Sequence, residues 1–149
     1  MSRVIGRDEA SARGLLDAAG VRLHAADPAT GDARPELVAS VLPEGARHVR
    51  GQVDAEASDD VDGGMAAWHV NPVDELHVVL SGRGLMEFVT VDGVVTVLVE
   101  QGDVVEVRGA EHRYRPLSTQ GWRLRFDGPA EAGLEPTQTG RAGDPWPTI

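Results

Sequence analysis

The sequence predicts a mainly β fold, an antiparallel sandwich or barrel decorated by two short N-terminal helices. Three observations predict it. After Gly64 the chain breaks into six short runs rich in Val, Leu and aromatic residues. Turn signals, most of them containing Gly, separate these runs. Helical spacing of apolar residues is confined to the stretch before Pro43. Short strands spaced this closely imply an antiparallel architecture. The 149 residues, 41% apolar and 26% charged, suffice for one core and show the bias of neither disorder nor a coiled coil. A single domain is expected, with a helical and loop extension at 1–63, a barrel core at 64–128 and an irregular tail at 129–149.

Each element has its own signal. Asp8 to Ala19 holds Leu15, Leu16 and Ala19 at helical spacing behind an acidic first turn and stops at Gly20. Val21 to Leu23 alternates like a brief strand, and Asp27 to Asp32 is a turn cluster. Pro35 to Leu42 forms the second helix, with Pro in its first turn and Pro43 unable to continue it. Asp54 to Asp62, five of its nine residues acidic, is a solvated loop. The strands are Trp68–Val70, Glu75–Leu80, Gly84–Val91, Val94–Glu100, Val104–Arg108 and Trp122–Phe126. Asp92-Gly93 marks a hairpin, and Gly82, Gly84 and Gly102 are read as turn residues.

Composition removes whole classes of chemistry. All 14 basic residues are Arg, none is Lys, and Cys is absent. Schiff-base chemistry, the phosphate-loop Lys, thiolate nucleophiles and thiolate zinc sites are therefore excluded. Hydrolytic, metal-dependent or binding functions remain. A net charge of −10 without a basic stripe argues against nucleic acid as a partner. The amino terminus lacks a signal-peptide stretch and no apolar run reaches the roughly 18 residues of a membrane span, so no membrane partner and a cytoplasmic location are expected.

Three of the five histidines, His69, His77 and His112, fall in the strand-rich half. Residues two apart on a strand share a face, so His69 goes with Asn71 and Glu75 with His77, while Pro72 interrupts the ladder between the pairs. Leu76, Val78 and Leu80 take the opposite parity from His77 and Val79, which makes both faces of this strand partly apolar, as in a closed barrel. Arg123 and Arg125 alternate with Trp122, Leu124 and Phe126; they are either solvent-facing or supply an anion clamp to a pocket.

This pattern resembles the cupin superfamily. His69, Asn71, Glu75 and Gly82 follow its first motif, with Asn71 where a second His belongs. The run from Gly102-Asp103 to His112 is similar to its second motif, one residue short and with Arg108 near the place of the usual Pro. Within the superfamily the chain resembles acireductone dioxygenase, through His69, Asn71, Asp74-Glu75, Gly82-Arg83-Gly84 and, upstream, Ala19 to His24.

The resemblance implies a small cupin, a double-stranded β-helix or jelly-roll barrel, holding one divalent metal. Fe(II) is the first choice and Ni, Mn or Zn the others. Of the family's three His and one Glu, it carries over His69, Glu75 and His112, a two-imidazole, one-carboxylate set suited to non-haem iron. Asn71 is either a weak carbonyl ligand or a neighbour of the ligands. His77 replaces the Arg that faces substrate in the family; a fourth ligand, a proton shuttle and a substrate contact are its open roles. The implied activity is that of a dioxygenase or oxidase diverged towards another pathway, acting on a small oxygenated acid or enediol, with Glu75 and His77 as catalytic residues. A redox-neutral metal-dependent isomerase, cyclase or lyase and a non-catalytic ligand-binding cupin are the rivals. The expected partners are a small-molecule substrate and a second copy in a homodimer.

Overall fold

The two ends of the chain enter the same two sheets as its middle. In the computed structural model, which describes residues 1–42, 48–118, 122–129 and 136–149, strand Arg3–Ile5 (β1) leads into helix Glu9–Ala18 (α1), strand Val21–Ala25 (β2), helix Pro35–Val41 (α2) and strand His48–Ala55 (β3). There follow His69–Val70 (β4), Glu75–Ser81 (β5), Arg83–Thr90 (β6), Gly93–Glu100 (β7), Asp103–Val107 (β8), His112–Pro116 (β9), Trp122–Pro129 (β10) and Thr137–Gln138 (β11). One sheet runs β1-β7-β6-β9-β4-β11 and the other β2-β8-β5-β10-β3, with antiparallel pairing throughout. Pro43, expected to stop the second helix, and the tail segment 130–135 lie outside the described residues.

Local chemistry explains the framework. The Asp8 carboxylate caps α1 by accepting from the Ser11 amide at 3.0 Å, and Ala12 and Leu16 bury its inner face. Gly93 takes φ +93° where β6 turns into β7, a conformation costly for other residues. Val79, Phe88, Val97, Val105, Trp122 and Leu124 belong to the main apolar core, which also takes in α1. Leu76, Val78 and Val104 form a second cluster with Ala26, Ala33 and Val41 of the α2 region. The two faces of β5 are thus both covered, one by the opposite sheet and one by α2, as its residue parity predicts.

Several segments differ from the sequence-based reading. Residues 1–63 supply β1 and β3 in addition to the helices, the loop and the brief strand expected at Val21–Leu23, and Asp54 and Ala55 belong to β3 rather than to the acidic loop. His112–Pro116 is a strand between β6 and β4. The tail contributes β11, whose Thr137 and Gln138 pair with Val70 and His69. Gly84 lies inside β6; a Cβ there would stand 2.8 Å from the Trp122 ring, so close approach rather than a turn requires glycine. Among the described residues no helix is long and apolar enough to cross a membrane.

Candidate functional site

Two strands from one sheet and one from the other bring the polar residues to a single cavity. His69 on β4 and His112 on β9 are register partners, with ring centroids 4.3 Å apart and planes at 66°. Glu75 and His77 approach from β5 in the opposing sheet, with Glu75 Oε2 3.8 Å from His77 Nε2. The His77 and His112 rings lie 5.8 Å apart. A cavity of about 390 Å³ is lined by these four, by Asn71 and Tyr114, and by Val53, Gly64, Met65 and Pro136. His69, Glu75, His77 and His112 are buried, whereas Asn71 is half-buried on the turn after β4.

Each imidazole is held through Nδ1. His69 Nδ1 donates to the Ala67 carbonyl and His112 Nδ1 to the Ala110 carbonyl, both at 2.7 Å. The proton on Nδ1 leaves Nε2 as a lone-pair donor, the arrangement typical of imidazoles that bind metals. His77 Nδ1 is hydrogen-bonded to the Tyr114 hydroxyl. Burial lowers the pKa of His69 and lowers that of His112 well below its ordinary value, with the neighbouring imidazoles adding to the effect, so both rings are neutral near pH 7. Burial, then the nearby Glu75, raises the Tyr114 hydroxyl far above its usual range and keeps it a neutral phenol.

Among the described residues no three His, Asp or Glu side chains have already converged on one point at metal-binding spacing. The donor set nevertheless fits a divalent cation. His112 Nε2 is buried without a hydrogen-bond partner, which is costly unless something occupies that lone pair. Glu75 is the one carboxylate among the described cavity residues, and its Oε2 faces the His77 ring at 3.8 Å.

All five residues singled out from the sequence, His69, Asn71, Glu75, His77 and His112, line this cavity. Val53, Met65 and Pro136 escaped sequence reasoning because they come from β3, the turn before β4 and the tail, none of which carries a recognisable motif. The anion-clamp reading of the paired arginines is corrected: Arg123 binds Asp54 at 2.9 Å, and Arg125 is tied to Asp127 and Asp32. Neither lines the cavity. A buried ion pair also went unforeseen. Arg113 Nη2 lies 2.7 Å from Glu87, whose other oxygen accepts from Thr96, and the guanidinium stacks on Trp68 and Trp146 at 5.0 and 4.0 Å.

Barrel, connectivity and cavity together define a cupin fold of the acireductone dioxygenase-like form. Solved structures that share the fold include two enzymes. Acireductone dioxygenase from Bacillus anthracis, with a cadmium ion in its active center, aligns with TM-score 0.63 and 18% identity over 91% of this chain and 96% of that one. Oxalate decarboxylase aligns with TM-score 0.52 and 16% identity over 80% of this chain and 28% of that one. No protein-family model and no curated protein sequence matches the chain.

Proposed function

We propose that the protein is a metal-dependent cupin enzyme that oxidises a small oxygenated acid or enediol. The observation that carries this reading is the facing pair His69 and His112, each with Nδ1 held by a carbonyl, opposite the buried carboxylate of Glu75. His69, Glu75 and His112 would hold one divalent ion, Fe(II) first and Ni, Mn or Zn as alternatives, leaving positions for substrate oxygen atoms. When bound, such an ion supplies Lewis acidity and, if iron, redox chemistry with oxygen. Similarity to an acireductone dioxygenase holding cadmium supports a divalent-metal site.

The chain's own residues do the remaining work. Val53, Met65 and Pro136 give the cavity an apolar wall for a small substrate. Asn71, half-buried at the cavity wall, presents an amide to substrate oxygen atoms. His77, held by the Tyr114 hydroxyl beside Glu75, stands where a substrate proton would be exchanged or where a further donor would be supplied. Metal analysis of protein purified without chelators, combined with oxygen uptake on candidate enediols, tests the proposal. One metal per chain is expected, lost in His69→Ala, Glu75→Ala and His112→Ala. Stoichiometric metal in His112→Ala refutes the ligand set, and turnover without oxygen uptake replaces oxidation by redox-neutral isomerisation or elimination.

A further inference from the structure

Beside His69, Glu75 and His112 stand two further residues able to donate to a cation, His77 and Asn71, and they meet the cavity differently. On the strength of the metal reading, we infer that His77 is the fourth protein ligand and that Asn71 is not one, so the third imidazole comes from β5 instead of from the turn after β4.

Three observations converge. The first is where the groups come from. His69 and His112 belong to one sheet, Glu75 and His77 to a single face of β5 in the other, and the cavity lies between them. Two donors from each sheet make a clamp closed from both sides, whereas Asn71 is half-buried on a turn. The second is spacing. With metal–nitrogen bonds of about 2.1 Å, two imidazoles on one ion have ring centres about 5 Å apart. The pairs His69–His112 at 4.3 Å and His77–His112 at 5.8 Å bracket that distance, and His77 Nε2 is already 3.8 Å from Glu75 Oε2. The third is orientation. Tyr114 holds His77 by Nδ1, as Ala67 and Ala110 hold the other two rings, and His77 thereby presents Nε2 to Glu75. In the metal-bound state His77 Nδ1–H donates to the Tyr114 oxygen, the usual support for a ligating imidazole.

Donor chemistry points the same way. An amide oxygen is a hard, weak donor, while a neutral imidazole suits iron, nickel and zinc. With three neutral imidazoles and one carboxylate, the charge on the ion is the same whether the third ring stands at position 71 or at position 77. Asn71 is thereby free to contact substrate.

Co(II) titration and pulsed EPR test the assignment. In the parent, Cu(II) should show three coordinated imidazoles. His77→Gln should weaken Co(II) at least about 100-fold, beyond the range of groups that only support a ligand, and shift its visible spectrum. Asn71→Ala should cost less than about 10-fold and leave the spectrum as in the parent. Two imidazoles in the parent, or a parental Co(II) spectrum in His77→Gln, overturns the inference while leaving the metal reading intact. A parent that takes up no Co(II) or Cu(II) refutes the metal reading itself. The imidazole count needs no variant, so it decides the question even if His77→Gln does not fold.

Discussion

Gly128→Ala probes how Glu75 is held without replacing a candidate ligand. Gly128 lies on β10, where a Cβ would stand 3.2 Å from Cγ of Glu75 and 3.2 Å from the carbonyl oxygen of Asp74. Its φ is not positive, so alanine meets no backbone penalty and the perturbation is purely steric. Ordinary contact begins at 3.4 Å, so the start of β5 or the Glu75 side chain must retreat by a few tenths of an ångström. Metal–ligand distances tolerate about 0.2 Å. The expected cost to the metal-free fold is about 1 kcal/mol, at the low end of overpacking, which corresponds to about 2–4 °C in Tm. Metal affinity should fall more, about 10- to 100-fold, as for other groups that orient a ligand. Calorimetric titration with Co(II), alongside thermal unfolding of the metal-free protein, separates the two effects. Parental affinity in a folded Ala variant would show that Glu75 does not depend on this contact for its position and would undo the argument.

Two further outcomes follow from the same geometry. Gly84→Ala would place a Cβ 2.7 Å from the Arg115 carbonyl oxygen and 2.8 Å from the Trp122 ring, both buried obstacles; a loss of about 1–3 kcal/mol, or about 2–12 °C in Tm, is expected, and an unchanged melting curve would refute the packing. The metal-free protein should lose stability as pH falls below about 6.5: His69 and His112 bind protons more weakly folded than unfolded, so the unfolded state gains protons first, at up to about 1.4 kcal/mol per pH unit for each. Chemical denaturation between pH 7.5 and about 4.5 checks this, and a flat profile would contradict the burial of the neutral rings.

What the sequence reveals is the part of the site encoded by local spacing. The parity of β5 separates Glu75, His77 and Val79 from Leu76, Val78 and Leu80, and the structure covers the two faces with different partners. The intervals linking His69, Asn71, Glu75 and His112 likewise identify residues that line one cavity. Strand β9 was hidden because Arg113 and Arg115 flank Tyr114, and arginine at alternate positions reads as solvated chain. The charge of Arg113 is instead buried against Glu87, a partner on β6 that no local pattern announces. Strand β3 was hidden for a similar reason: Val49, Gly51, Val53 and Ala55 do alternate, but the signal is weak, and pairing with β10 far along the chain makes the strand.

The position of His69 cannot come from its own strand. Strand β4 is two residues long and meets β9 through one register pair, His69 with His112, too little ladder to fix a candidate ligand. The remaining constraints come from the tail and from the outer face of the sheet. Gln138 pairs with His69, and the Thr139 amide donates to the Trp68 carbonyl at 3.1 Å. Arg141 binds Glu111, the residue before His112, at 2.9 Å, and this contact is the largest cause lowering the Glu111 pKa. Trp68 is packed beneath the Arg113 guanidinium, which Glu87 and Trp146 immobilise from either side. Each of these contacts falls on a candidate ligand or on the residue next to one. The segment from Pro136 onward is therefore part of the site's scaffold: it supplies a cavity wall through Pro136, pairs with His69 through Gln138 and binds Glu111 beside His112 through Arg141.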